Sequence, residues 1–198
     1  ATSTLISVIT QYGFLYFLPK KVSESQNNNE LSKLLANVLF FQLACAFFMS
    51  VAYFFYIHVS GIEVNLKSAI VIYLFVTLQI ITPIWFFQGL QKKVTILLLQ
   101  LTSSLLLMIV LLITQTSLTL SLLSFNYLLV NCSVFLSALF LTKSIALNSW
   151  QYLSLNYIIN LLQGGRSEFI QQIFPNLYNN GLVVLLSTQL DSQTFGIF

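Results

Sequence analysis

The chain has 198 residues, of which 57% are hydrophobic and 7% charged. A soluble domain carries about 25% charged residues, so this composition excludes a water-facing surface and specifies an integral membrane protein. The net charge of +3 rests on only eight Lys and Arg, with no basic patch interleaved with aromatics, which excludes nucleic acid as a partner.

A membrane-crossing helix needs about 20 predominantly apolar residues. The first apolar run covers residues 4–18, is interrupted by Gln11 and Gly13, and is closed by Pro19. Residues 20–33, with Lys20, Lys21, Glu24 and Glu30, read as a polar loop. Residues 34–57 form a second, uninterrupted span and 58–67 a short loop. The third span covers 68–87, the fourth 94–114 and the fifth 120–141, with turns at 88–93 and 115–119. Residues 142–166 are more mixed: Trp150, Leu153, Tyr157, Ile158, Leu161 and Leu162 recur at helical spacing, as in a helix lying on a membrane surface, and Gly164-Gly165 ends it. A sixth span, 169–190, is broken by Pro175. The fold class is therefore an all-α polytopic bundle of about six transmembrane helices. The chain opens on Ala1 directly into an apolar run, and residues 191–198 read as the entry to another, so a fragment of a longer membrane protein is expected.

The turn between the third and fourth spans, from Thr82 to Lys93, is the most distinctive stretch. Pro83 has no backbone N–H and kinks a helix. Trp85, Phe86 and Phe87 suit the interfacial layer, and Lys92 and Lys93 fix which side of the membrane the turn faces. Gly89 is expected to close the helix in the left-handed conformation. With six spans, Lys20, Lys21, Lys33, Lys92, Lys93, Lys143 and Arg166 fall on one side and only Lys67 on the other. That bias makes the loops at 20–33, 88–93 and 142–166 cytoplasmic.

No enzyme signature is present. The single histidine, His58, sits at a span end, and Cys45 and Cys132 belong to no paired motif, so neither a metal site nor a disulfide framework is expected. There is no P-loop. Glu24, Glu30, Glu63, Glu168 and Asp191 all read as lying in or near loops. What remains is polar but uncharged. Gln42, Gln79, Gln100, Asn126 and Asn131, taken singly, read as hydrogen-bonding groups between helices. Two clusters break the apolar pattern further: Gln11-Tyr12-Gly13 in the first span, and Asn176, Tyr178, Asn179 and Asn180 after Pro175 in the last. Broken helices are tolerated where they line a cavity, so these two clusters are the candidate lining of an aqueous path.

The stretch Pro83-Ile84-Trp85-Phe86-Phe87-Gln88-Gly89 resembles the P-x-W-x-F-Q-G segment of the polysaccharide exporters that include the Wzx-type O-antigen flippases. Tyr12-Gly13-Phe14 with Lys20-Lys21-Val22-Ser23-Glu24 is similar to that family's second helix, Phe169 to Asn180 to its seventh, and Asp191 to Phe198 to the segment before its eighth. The resemblance covers nearly the whole chain in the family's order. It implies helices 2–7 of a 12–14-helix, two-lobe transporter of the MOP superfamily: 1–141 as the first lobe lacking one helix, 142–166 as the inter-lobe linker, and 167–198 as the truncated start of the second lobe. It further implies a bacterial inner-membrane protein that moves an undecaprenyl-pyrophosphate-linked oligosaccharide, an O-antigen or capsule repeat unit, to the outer leaflet by alternating access. Such a protein would need no cofactor and perform no enzymatic chemistry, and would work beside polysaccharide assembly proteins. On this resemblance the cavity residues are Gln11, Tyr12, Asn176, Tyr178, Asn179 and Asn180. Lys20, Lys21 and Arg166 would attract the pyrophosphate or anchor the topology, and Pro83, Trp85, Phe87, Gln88 and Gly89 would be structural identity markers. The rival readings are a multidrug exporter of the same superfamily and a membrane-embedded enzyme of polysaccharide assembly.

Overall fold

A computed structural model describes residues 2–25, 27–60, 66–114, 120–142 and 149–181. All regular structure among them is helical. In chain order the helices are α1 (Thr2–Gln11), α2 (Phe14–Glu24), α3 (Asn28–Ser60), α4 (Leu66–Ile81), α5 (Ile84–Gly89), α6 (Lys93–Thr114), α7 (Leu120–Leu141), a 3-10 turn (Ser149–Tyr152), α8 (Leu155–Gly164), α9 (Arg166–Asn176) and a π turn (Leu177–Gly181). Three stretches, Asn28–Val59, Leu66–Gly89 and Ser124–Leu141, are long and apolar enough to cross a membrane, and Lys93–Ile109 is a shorter apolar helix.

The six-span reading is revised at several points. The first run is two helices with a break between them, and Pro19 does not end it: α2 carries Pro19 in its interior and continues to Glu24. Most of the polar segment 20–33 is helical, because α3 begins at Asn28. The third span breaks at Thr82-Pro83. In the mixed stretch the described residues from 149 on form two short pieces, a 3-10 turn and α8. The last run starts as α9 at Arg166 and passes into the π turn, and its continuation beyond residue 181 lies outside the described residues.

Each break has a local cause. Tyr12 and Gly13 have positive φ, 47° and 72°, so the chain turns left-handed between α1 and α2. The Gly13 carbonyl then accepts the first N–H groups of the new helix, from Tyr16 and Phe17. At Pro83 no N–H exists to continue the ladder. The Thr82 hydroxyl folds back onto the Leu78 carbonyl at 2.7 Å, and α5 restarts from the Pro83 carbonyl, which accepts from Phe86 N–H.

The aromatic residues of α5 are not interfacial. Trp85, Phe86 and Phe87 are all buried. Trp85 and Phe86 pack with Phe14, Leu18 and Val22 of α2 and with Leu34, Leu35 and Val38 of α3. Phe87 turns the other way, onto Leu99 of α6 and Ala138 of α7. Burying an aromatic ring of this size is worth about 2–3 kcal/mol, so α5 nails two groups of helices together. Gly89 also differs from expectation. The left-handed residue after α5 is Gln91, with φ 56°, while a Cβ on Gly89 would lie 2.4 Å from Val22 Cβ and 2.7 Å from the Pro19 carbonyl oxygen. Glycine is required there by the close crossing of α2 over α5.

The remaining bundle is built by α4 lying along α7 and α6 along α7, with α1 set against α3 and α4. Helix α3 changes environment along its length. Residues Leu31 to Leu39 are in the core, whereas Phe47, Phe48 and Phe55 are 67%, 71% and 69% exposed. Exposed large aromatics of this kind form an apolar surface on the second half of the helix, the sort that suits a membrane or a protein partner.

Candidate functional site

The two polar clusters singled out in the sequence come from opposite ends of the chain, and the fold brings the helices that carry them together. Helix α1 packs on α9 and on the π turn. The Tyr12 ring stacks on Phe169, with centroids 4.3 Å apart and planes 15° from parallel. It also meets Phe41 edge-on at 6.0 Å. A Cβ on Gly13 would come within 2.9 Å of Phe169 N, so the helix break is seated directly on the first turn of α9. The contact is aromatic, and Tyr12 is half-buried in it. Gln11 is half-buried beside it. In the other cluster Asn176 donates from Nδ2 to the Gln172 carbonyl at 2.9 Å, Tyr178 and Asn179 are exposed, and the Asn180 side chain lies outside the described residues.

The same junction holds groups that sequence reading passed over. Glu168 was placed with the loop acids, yet it stands in the first turn of α9 with Oε2 buried and without a hydrogen-bond partner. Gln172 Nε2, one turn on, and Thr10 Oγ1 on α1 are likewise buried and unpartnered. A buried group of this kind costs about 1–3 kcal/mol, which is why such atoms mark places where something else binds or moves.

The basic residues gather at one end. Lys21 Nζ lies 5.1 Å from the Phe17 ring centroid, and Gly165, next to Arg166, approaches the same ring. Lys33 Nζ sits 4.6 Å from the Tyr157 ring. Asn37 locks this end: its Nδ2 donates to the Tyr152 carbonyl at 3.0 Å and its Oδ1 accepts from Ser154 N–H at 2.9 Å. Helices α2, α3, α5 and α8 thus bring the segments around residues 20–33, 88–93 and 149–166 together. Lys20 is exposed and within 4.0 Å of Glu24, a surface pair of little energetic weight. Lys143 lies outside the described residues, and Gln88 near the end of α5, Lys92 in the turn after it and Lys93 at the start of α6 are exposed. Burial pushes the Tyr157 phenol above its ordinary value, and the Glu30 carboxylate adds to the effect.

The mid-span amides are the largest surprise. Sequence reading made Gln42, Gln79, Gln100 and Asn131 hydrogen-bonding groups between helices. The structure puts them on the walls of two adjoining cavities. One, of about 140 Å³, lies among α1, α2, α3, α4 and α5, and its polar wall is Gln11, Gln42, Gln79, Thr82 and Trp85. The other, of about 200 Å³, lies among α4, α5, α6 and α7, with Gln79, Thr82, Gln100, Ser103 and Asn131. Gln79, Thr82 and Ile84 belong to both. The helix break at Thr82-Pro83 therefore opens the space that both cavities share. Neither wall contains an ionisable side chain. Asn131 Nδ2 bonds within its own helix, to the Tyr127 carbonyl at 2.8 Å, and Gln42 Oε1 has no partner. Among the described residues no three His, Cys, Asp or Glu side chains converge.

Comparison with protein-family profiles, with characterised proteins and with solved structures finds no match to this chain.

Proposed function

We propose that this chain is a multi-pass inner-membrane protein, part of a two-lobe flippase that carries an oligosaccharide on an undecaprenyl pyrophosphate from the cytoplasmic to the outer leaflet. The observation that carries the reading is the seating of the Tyr12-Gly13 break on the first turn of α9. A left-handed break in one helix, packed against the start of another that itself ends in a π turn, is the kind of irregular backbone that membrane proteins tolerate beside a cavity. The junction between the first and second lobes would run along α1 and α9. The neutral amides of the bundle suit a neutral sugar chain, and Lys20, Lys21 and Arg166, at one end, suit the anionic head group or the inside-positive anchor. Transport would be a rocking of the lobes without covalent chemistry.

The decisive measurement is the leaflet distribution of undecaprenyl-linked repeat units in cells lacking the full-length gene. Accumulation on the cytoplasmic leaflet is expected, and normal delivery to the outer leaflet rejects the flippase. A second reading, a proton-coupled multidrug exporter, draws on the buried, unpartnered Glu168 Oε2. It requires efflux of a lipophilic cationic dye that depends on the pH gradient and is lost in Glu168→Gln; absence of any efflux from the native protein rejects it.

A further inference from the structure

The two helix breaks lie at one level of the bundle. Gln11, Phe14 and Leu15, on either side of the first, and Gln79, Thr82 and Ile84, on either side of the second, line the same cavity. On one side of this level α1 packs on α4, and on the other α2 packs on α5. The second pair is held as one piece. A Cβ on Gly89 would meet Val22 at 2.4 Å, and Phe14, Leu18 and Val22 are buried with Trp85 and Phe86.

The backbone is loosened at both breaks. The ladder of α1 closes with Tyr12 N–H on the Val8 carbonyl at 3.1 Å, and that of α2 opens on the Gly13 carbonyl. At the other break Thr82 N–H closes α4 on the Leu78 carbonyl, and α5 opens on the Pro83 carbonyl. Between them Pro83, with φ −80° and ψ 58°, is the centre of an inverse γ-turn, in which Ile84 N–H donates to the Thr82 carbonyl at 2.8 Å. An intact helix bends only gently, and sharp bends concentrate where its ladder is interrupted. A single break lets one helix kink against its neighbour. Two packed helices broken at the same level can bend together without sliding past each other.

We propose that the Tyr12-Gly13 and Thr82-Pro83 breaks form one hinge, about which the α2–α5 pair swings as a unit against the α1–α4 pair. Hinges of this kind need a few residues that absorb the change in backbone angle, and here these are Gly13 and the γ-turn at Pro83. The cavity of about 140 Å³ between the breaks supplies room, because a close-packed interior has few voids larger than a water. Ile84 also borders the cavity of about 200 Å³, so it has space on both sides of its path. Helix α3 passes the same level unbroken, from Asn28 to Ser60, and is the fixed post. The bend lies within one bundle, which the rocking of two lobes does not require, so it goes beyond the flippase reading.

Spin labels measure the bend in the full chain with Cys45 and Cys132 replaced by serine. Labels on Lys20→Cys and Leu66→Cys, exposed positions of α2 and α4, span the hinge. Labels on Leu66→Cys and Leu97→Cys, exposed positions of α4 and α6, span neither break. Pulsed electron–electron resonance in detergent micelles is expected to give a distance distribution about twofold broader for the first pair than for the second. Leu15→Phe, which fills the smaller cavity, is expected to narrow the first distribution to the width of the second. Ile84→Ala, which enlarges both cavities, is expected to broaden it further and carries the test if Leu15→Phe does not fold. Equal widths for the two pairs, or a first-pair width left unchanged by either folded variant, overturns the hinge. A broad first pair with normal leaflet distribution in the gene deletion would reject the flippase and leave the hinge standing, and the reverse result would do the opposite.

Discussion

Glycine is used here for contact as well as conformation. Gly13 has φ 72° and also lies where a Cβ would approach Phe169 N to 2.9 Å; Gly89 has ordinary helical backbone, but a Cβ would strike Val22 at 2.4 Å. Gly13→Ala should cost about 1–2 kcal/mol from the left-handed backbone alone, plus the displacement of α9. Gly89→Ala should cost about 1–3 kcal/mol by overpacking. Thermal melts in detergent check both, and an unchanged midpoint for Gly89→Ala would refute the close crossing of α2 and α5. Asn37 is a third such residue. Its amide is fully buried and meets both the Tyr152 carbonyl and the Ser154 N–H, so Asn37→Ala strands two backbone groups at about 1–3 kcal/mol. Protease cleavage within residues 149–154 should rise in that variant and stay unchanged in the exposed Asn160→Ala. Tyr157 adds a pH dependence. Its phenol titrates above the ordinary value because the folded state buries it and sets Glu30 nearby. The folded state therefore holds that proton more tightly than the unfolded chain. The contribution is complete below the unfolded tyrosine value, about 10, and is lost as pH rises through the folded one. The alkaline decline in melting temperature should shrink in Tyr157→Phe; an identical decline would remove Tyr157 as its source.

At the scale of elements, the breaks matter more than the helices. Among the described residues, apolar runs are interrupted at Tyr12-Gly13 and at Thr82-Pro83, and each break sits where other elements converge. The first meets α9, and the second opens the space between two cavities. Both were readable as breaks, since glycine and proline announce them, but what each break faces was not. Tyr12 read as a cavity residue, and the structure stacks it on Phe169. Trp85 read as a lipid-interface anchor, and the structure buries it beside Gln42. Pattern reading assigns an aromatic at a helix end to the interface because it has no way to know that α5 is tucked between α2, α6 and α7. The α1–α9 junction has a direct check. With Cys45 and Cys132 replaced by serine, cysteines at positions 12 and 169 should be joined efficiently by a short bismaleimide. Cysteines at 12 and 74, the latter on the exposed side of α4, should not. Equal yields from the two pairs would mean that α1 and α9 are not neighbours.

For the whole molecule, the unequal distribution of charge is the governing feature. The segments around residues 20–33, 88–93 and 149–166 converge, through Asn37, Gly89 and the Lys33–Tyr157 contact, at an end that holds Lys20, Lys21, Lys33, Lys92, Lys93 and Arg166. Helix α3 is 33 residues long, about 50 Å at 1.5 Å per residue, enough to carry His58 well beyond a hydrocarbon core about 30 Å thick. The proposed orientation makes a sharp forecast. In intact spheroplasts of a cysteine-free background, a membrane-impermeant maleimide should label Lys67→Cys and leave Lys92→Cys unlabelled until the membrane is permeabilised. Labelling of both, or of Lys92→Cys alone, would overturn the orientation.

Composition and periodicity determined the all-helical class of this protein: the long apolar runs are built as helices, which satisfy their own backbone hydrogen bonds, and among the described residues three stretches are long and apolar enough to cross a membrane. They also marked the breaks at Gly13 and Pro83 and the positively charged segments, since those belong to single residues and their immediate neighbours, but not the passage of α2 through Pro19 or the helical ends of the polar segment 20–33. Only the tertiary structure decided what the polar side chains do. Gln42, Gln79, Gln100 and Asn131 lie on different helices, from α3 to α7, and nothing in their spacing along the chain relates them. Whether an amide meets another helix or an empty space depends on how helices cross, and the crossings here are set by a glycine contact at residue 89 and a proline break at residue 83. Those two positions turn a row of apparently separate glutamines and asparagines into the walls of adjoining cavities.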